Sequence, residues 1–352
     1  MKIVKLPGEK LIDFLGHLGS FGEVHAPQKR GRKSFAFLPV SDPSKVVLSG
    51  DDYTRTILPL KKYFHKPVDT LLKFSPEKGF EDAFEDEGKK VLFGVHSCDI
   101  NAILSLDRVF SGEYVDTYYF RRRKEVAIIG MSCIPDDLCY CHSMGTSFVE
   151  EGFDLFLSDV GDGYLVKVGT SLGDDMVSSA AELFIDCSEK DVAEYKKRIN
   201  EFPCLFKTKV DEADLPAILD MEYKSEIWEE MGNKCFNCGI CSMVCPTCFC
   251  FDVVDEVCLD GETGERKRCW DSCLFKSHAM VAGGHNFRAE RADRFKHRFL
   301  HKHQAFMGDF GRPSCVGCGR CTQDCPADIH FVGMIKKIKG DISCIHEEDK
   351  EK

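Results

Sequence analysis

Cys235-Phe-Asn-Cys238-Gly-Ile-Cys241-Ser-Met-Val-Cys245-Pro246 decides how the second half of this chain folds, because it occurs twice. The second copy is Cys315-Val-Gly-Cys318-Gly-Arg-Cys321-Thr-Gln-Asp-Cys325-Pro326. Both read C-x2-C-x2-C-x3-C-P, the spacing of a two-cluster 4Fe–4S run. Three thiolates at x2 intervals wrap one face of a cubane, and Gly239, Gly317 and Gly319 let the backbone approach its sulfides. The fourth Cys then lies too far along the chain and ligates the other cluster. The Pro that follows turns the chain away and has no N–H to leave unpaired. The expected sets are therefore Cys235, Cys238, Cys241 and Cys325 for one cluster, and Cys315, Cys318, Cys321 and Cys245 for the second. C-x2-C pairs also build zinc ribbons. Eight cysteines in two identical runs, each closed by Cys-Pro, argue for clusters instead.

The insert between the runs is too long for a minimal ferredoxin and predicts extra helices. It carries Cys248, Cys250 and Cys273, which are either ligands to something further or small buried residues packed around the clusters. Packing is the favoured reading. Residues 285–303 hold Arg288, Arg291, Arg294, Lys296, Arg298 and Lys302 with Phe287, Phe295 and Phe299 interleaved. A charge run is usually a solvated helix face. The alternative is a docking surface, or positive charge that raises the potential of a nearby cluster.

Cysteine density changes sharply near residue 230: six of the 20 cysteines precede Cys235 and fourteen follow from it onward. In the first part, Lys90-Val-Leu-Phe-Gly-Val95, Glu125-Val-Ala-Ile-Ile-Gly130 and Gly163-Tyr-Leu-Val-Lys-Val168 read as strands. Residues 67–74 and 188–202 read as helical, the latter with Ser188 as N-cap. This mixture predicts an α/β (or α+β) domain over residues 1–215, with its strand order unreadable. A mainly α-helical two-cluster ferredoxin-like domain is expected over 216–345, entered through a helical pattern at 215–233 and ending in an amphipathic segment at 329–338. Residues 346–352 form a charged tail. Cys98, Cys133, Cys139 and Cys141 follow two of the expected strands and would converge at one end of a sheet. They are the candidate ligands of a third 4Fe–4S cluster, against the reading that they are ordinary buried thiols. Cys187, Cys204, Cys258, Cys269 and Cys344 are left unassigned.

Composition narrows the class. The chain has 352 residues, 43% hydrophobic and 30% charged, with a net charge of −11. Those are values of a globular protein with a sizeable core. The acidic balance argues against nucleic-acid binding. No run approaches the ~18 apolar residues of a membrane helix, and the N-terminus has no apolar export region. A cytoplasmic location is expected, where cysteines serve metal or redox work rather than lasting disulfides. Only 3 Gln and 5 Asn occur, a weak thermophile signal. There is no G-x-G-x-x-G for a dinucleotide or flavin and no phosphate loop. Cys133-x5-Cys139 faintly resembles half of a sirohaem–cluster motif, but its second half would have to come from a distant part of the insert. No cysteine pairs near both termini suggest a nickel–iron centre.

The chain resembles the beta (iron–sulfur) subunits of cytosolic sulfhydrogenases, a family that includes the A subunit of anaerobic sulfite reductase. It is also similar to the iron–sulfur subunit of Flx-type NADH dehydrogenases that partner heterodisulfide reductases. A more distant similarity links it to the beta subunit of deazaflavin-dependent hydrogenases. The matching residues are 54–64, Phe93-Gly-Val-His-Ser-Cys-Asp-Ile100, Gly130-Met-Ser-Cys133, Cys139-Tyr-Cys141, both cysteine runs, Trp270-Asp-Ser-Cys273 and Val281-Ala-Gly-Gly-His-Asn-Phe-Arg288. The resemblance implies an electron-transfer subunit of an oxidoreductase complex, not catalytic alone. Its implied partners are a flavin- and NAD(P)-binding subunit of ferredoxin-reductase type and a catalytic module. A nickel–iron hydrogenase is the expected module, and a sulfite or heterodisulfide reductase module is the alternative. An N-terminal domain that itself reduces a sulfur substrate, and a structural metal adaptor, are rival readings. The first part is longer than a two-cluster relay needs, which the docking of partners and a third site would explain.

Overall fold

The apolar runs before residue 170 build the centre of the molecule. The structure is a computed structural model and describes residues 2–32, 34–48 and 53–340. Its strands are β1 (Ile3–Pro7), β2 (Glu23–Lys29), β3 (Phe35–Pro39), β4 (Val68–Ser75), β5 (Gly79–Asp82), β6 (Lys90–Val95), β7 (Val126–Met131), β8 (Leu155–Asp159), β9 (Gly163–Val168), β10 (Phe251–Val257) and β11 (Gly264–Trp270). Seven of them form a sheet in the order β1-β9-β8-β7-β6-β2-β3. Its middle strands β2, β6, β7 and β8 are parallel, and antiparallel β1, β9 and β3 close the two edges.

Both faces of β6 and β7 are buried, as continuous apolar strands in a parallel sheet require. Val91, Phe93, Ala127, Ile129 and Met131 pack with Phe14, Leu155, Val166 and Met176 on one side. On the other side Leu92, Val95, Val126 and Ile128 pack with Ile100, Ile103, Leu106 and Phe110. The last three of these, with Ile100, lie on the helix Ser97–Phe110 that leaves the end of β6. Gly94 shifts the register between β6 and β7 and has φ +80°, a conformation L side chains rarely adopt. The helix expected at 188–202 spans Glu189–Glu201, with Ser188 and Asp191 forming a capping box.

Two expectations that bear on the sheets need correcting. The stretch expected as a helix over 67–74 is instead strand β4, Val68–Ser75. Its burial is inverted: Val68 is exposed while Asp69 is buried, because Asp69 accepts from both Arg122 (2.8 and 2.6 Å) and Arg268 (3.1 Å). The apolar residues therefore do not mark the inward face. The insert is not helical throughout either. Its first part is the hairpin β10–β11, and β11 pairs with β4 in a second sheet ordered β10-β11-β4-β5. Asp255–Arg266 and Glu256–Lys267 pair across the hairpin at 2.7 and 2.5 Å. Opposite charges on facing (Asp255–Arg266) and diagonal (Glu256–Lys267) strand positions support such a solvent-exposed hairpin.

The cysteine runs sit among helices. Leu215–Met221, Ile227–Lys234, Arg291–Leu300 and Phe331–Ile338 share a core of Leu219, Trp228, Met231, Phe295, Phe299 and Ile335. The pattern expected as one helix at 215–233 breaks near Ser225, which is extended. The helix from Arg291 continues as a π turn, His301–Ala305. The charged tail at 346–352 lies outside the described residues. No helix among the described residues is long and apolar enough to cross a membrane.

Candidate metal centre

The two cysteine runs adopt the same local conformation. Two residues after the first Cys the chain has positive φ, at Asn237 (+53°) and Gly317 (+65°). One residue after the second Cys it does so again, at Gly239 (+75°) and Gly319 (+76°). Short helices, Ile240–Met243 and Arg320–Gln323, then carry the third Cys. These turns aim backbone N–H groups at sulfur: Asn237 donates to Cys235 Sγ, Gly317 to Cys315 Sγ and Ile329 to Cys325 Sγ, each at 3.4 Å. A concave arrangement of N–H groups around thiols suits a bound anionic cluster.

The thiols sort into groups. Cys235 lies within electrostatic reach of Cys241, Cys325 and Cys238. Cys321 lies within reach of Cys315, Cys318 and Cys245. Cys325, the last of the second run, thus comes within reach of Cys235, and Cys245, the last of the first run, within reach of Cys315, Cys318 and Cys321. The first group is near the surface, with Cys238 exposed and its neighbour Phe236 63% exposed. The second is interior, and burial pushes the Cys315 thiol up to about 12.

The four N-terminal cysteines also come together. β6 and β7 are adjacent and parallel, so the chain leaves both at the same end of the sheet, where open α/β sheets place their sites. Cys98, on the helix that follows β6, contacts Cys141, and Cys133 lies within reach of Cys98 and Cys139. This group abuts the second run. The Tyr140 N–H donates to the Gly317 carbonyl at 2.9 Å, and Thr146 Oγ1 donates to the Val316 carbonyl at 2.7 Å. A Cβ on Gly317 would lie 2.6 Å from the Cys141 nitrogen, so only glycine permits this approach. Cys98 packs against Ala102, Val316 and Cys318.

Charge completes the site. Arg298, which sequence reasoning placed on a solvated face, is 3% exposed. Its Nε donates to Cys241 Sγ at 3.0 Å and Nη2 to the Cys241 carbonyl at 2.8 Å. Lys302 is also buried and donates to Thr247 and Ser314 hydroxyls at 2.6 and 3.0 Å. The alternative expectation, positive charge beside the thiols, describes these two residues. Burial works against charge on Lys61, which falls to about 8 although the Cys248 and Cys245 thiolates oppose the fall. Arg55 Nη2 donates to Cys139 Sγ at 3.1 Å and also pairs with Asp136. Tyr140 hydroxyl and Cys315 Sγ are 3.1 Å apart. Arg55, Lys61 and Tyr140 were missed as individual functional residues. Each sits inside a stretch that carries the family resemblance, but nothing in the sequence says which way it points.

Among the remaining cysteines, Cys204 and Cys258 are exposed, Cys187 is half-buried, and Cys269 lies on β11 opposite Asp252 and Val68. Cys344 is outside the described residues. The donor set fits 4Fe–4S clusters: thiols gathered near one another, N–H groups on sulfur, and glycines where a side chain would collide. At Gly239 a Cβ would come within 2.5 Å of the Phe275 ring.

Comparison with known proteins agrees. Residues 234–329 match the family described as a 4Fe-4S dicluster domain. The chain is 41% identical over 339 residues to Sulfhydrogenase 2 subunit beta of Pyrococcus furiosus, covering 96% of this chain and 99% of that one. No solved structure matches it. It is an iron–sulfur protein of oxidoreductase type, and it belongs to the family of sulfhydrogenase beta subunits.

Proposed function

We propose that this chain carries single electrons between a flavin- and NAD(P)-binding subunit and a catalytic module, a nickel–iron hydrogenase, in a cytoplasmic complex. The observation that carries the reading is the contiguity of the thiol groups. They run from exposed Cys238 through interior Cys318 to Cys98, which packs against it. The assigned ligands are Cys235, Cys238, Cys241 and Cys325 for one cluster, and Cys315, Cys318, Cys321 and Cys245 for the second. Cys98, Cys133, Cys139 and Cys141 are assigned to a third. When bound, such clusters take up and release one electron at potentials between roughly −700 and +450 mV.

The protein's own side chains set where in that range each group falls. Arg298 and Arg55 donate to sulfur and bring positive charge, which favours the more negative reduced state. Tyr140 is placed to donate to Cys315 without adding charge. The surface around Phe236 offers an entry or exit point, and Ile134 (64% exposed) beside Cys133 offers another.

The test is anaerobic purification of the native complex, with subunit masses and cofactors determined. The expected result is a flavin-containing subunit together with a nickel–iron subunit. A sirohaem or heterodisulfide reductase module in place of the nickel subunit moves the chain to the alternative complexes. Turnover of sulfite or polysulfide by the isolated, chemically reduced chain would contradict a carrier role.

A further inference from the structure

The insert contains a third family of thiols that the two runs do not use. At the open end of the β10–β11 hairpin Phe251 lies opposite Trp270, and the Asp271 N–H closes that end by donating to the Cys250 carbonyl at 3.0 Å. This closure brings Cys273, 4% exposed, onto Cys250. The two thiols are in contact, and the Cys273 N–H also points at the Cys250 sulfur. Cys248 lies within reach of Cys273 and contacts Cys245 of the second group. At the same place His278 Nδ1 is hydrogen-bonded to the Asp271 carboxylate. The ring makes no other hydrogen bond among the described residues, which leaves Nε2 without a protein partner. A carboxylate on one imidazole nitrogen is the usual way a ligating histidine is oriented.

A second observation is independent of the thiols' mutual positions. Lys61, Arg298 and Lys302 are each at least 95% buried around this spot. Among the described residues none of the three pairs with a carboxylate. Lys61 Nζ donates to the Ser242 and Cys248 carbonyls at 3.1 and 2.8 Å and lies 4.2 Å over the Trp270 ring. Arg298 Nη1 approaches Cys248 Sγ at 3.9 Å. Arg298 also serves Cys241 Sγ at 3.0 Å, whereas Lys61 has only carbonyls and an aromatic face for partners; buried positive charge is costly, so anionic sulfur belongs beside it.

We propose that Cys248, Cys250 and Cys273 hold a further iron–sulfur cluster, with His278 as its fourth ligand. This inference rests on the electron-carrying function proposed above. Among the described residues no three such donors converge closely enough to share one ion. The ligands of a cubane each take a different iron and need not converge on one ion as zinc ligands must. Three cysteines and one histidine also distinguish this centre from the all-cysteine groups, since histidine can replace cysteine on cluster iron.

Pulsed electron paramagnetic resonance of the reduced wild-type chain reads the site without any variant. Directly coordinated nitrogen coupling is expected from one cluster and lost in His278→Ala, and its absence in wild type overturns the histidine assignment. Iron and labile sulfide are then counted in Cys248→Ser/Cys273→Ser. The expected loss is about four iron per chain, with the signals of the other clusters retained. Unchanged iron, or loss of zinc instead, overturns the proposal. If wild type carries no reducible cluster at all, the carrier function itself has failed, which is a separate outcome.

Discussion

Asp99→Ala should destabilise the protein by about 3–5 kcal/mol, the usual result of leaving one member of a buried ion pair alone. Arg320 lies on the short helix of the second run, and Asp99 lies on the helix that follows β6. The pair is bidentate, with both nitrogen–oxygen distances 2.8 Å, and Arg320 Nε also donates to the Thr56 carbonyl at 2.8 Å. Both side chains are nearly inaccessible to water. Burial disfavours charge on Arg320, yet Asp99 and the Cys318 thiolate hold its pKa well above the ordinary value. Removing Asp99 strands a guanidinium between two cysteine groups. Against a total stability of about 5–15 kcal/mol this is a large fraction. Denaturant unfolding of Asp99→Ala, Arg320→Met and the double variant checks it. The double should be little worse than either single, because removing both charges leaves nothing unpaired. A single-variant cost below about 1 kcal/mol, the level of an exposed pair, would contradict the arrangement.

Arg298→Leu should lower the midpoint potential of the cluster assigned to Cys241 by roughly 100 mV. A unit charge a few ångströms away at an effective dielectric near 20 contributes up to about 4 kcal/mol. For a one-electron couple about 59 mV corresponds to a tenfold change, or about 1.4 kcal/mol. The loss of charge and of the 3.0 Å bond to Cys241 Sγ destabilises the reduced state, which is the more negative one, so the sign is downward. Arg298→Lys keeps the charge but not the forked donor set, and should fall between. Redox titration of each variant checks this, and a shift under about 20 mV would mean that Arg298 only packs.

The order in which these features became legible has a physical basis. β6, β7 and β9 were readable because their residues are apolar on both faces or bounded by glycine and charge. β4 was not, since Asp69 takes the inward position in partnership with arginines from residues 122 and 268, far along the chain. The hairpin in the insert was hidden for a related reason: β10 is exposed throughout and is held by charge pairs and by β4. Spacing alone grouped the eight run cysteines, because cluster chemistry fixes local geometry. It could not show that Arg294, Arg298 and Lys302 face inward, as a helical charge run looks the same whether it meets water or thiolate. Their burial is a tertiary property.

The most direct test is the metal content and reduced-state spectrum of the anaerobically purified chain. Two runs that exchange their fourth cysteines require at least about eight iron and as many labile sulfides per chain. They also predict spin-half signals on reduction that interact magnetically. Zinc in place of iron, or a sample silent after reduction, would contradict the account.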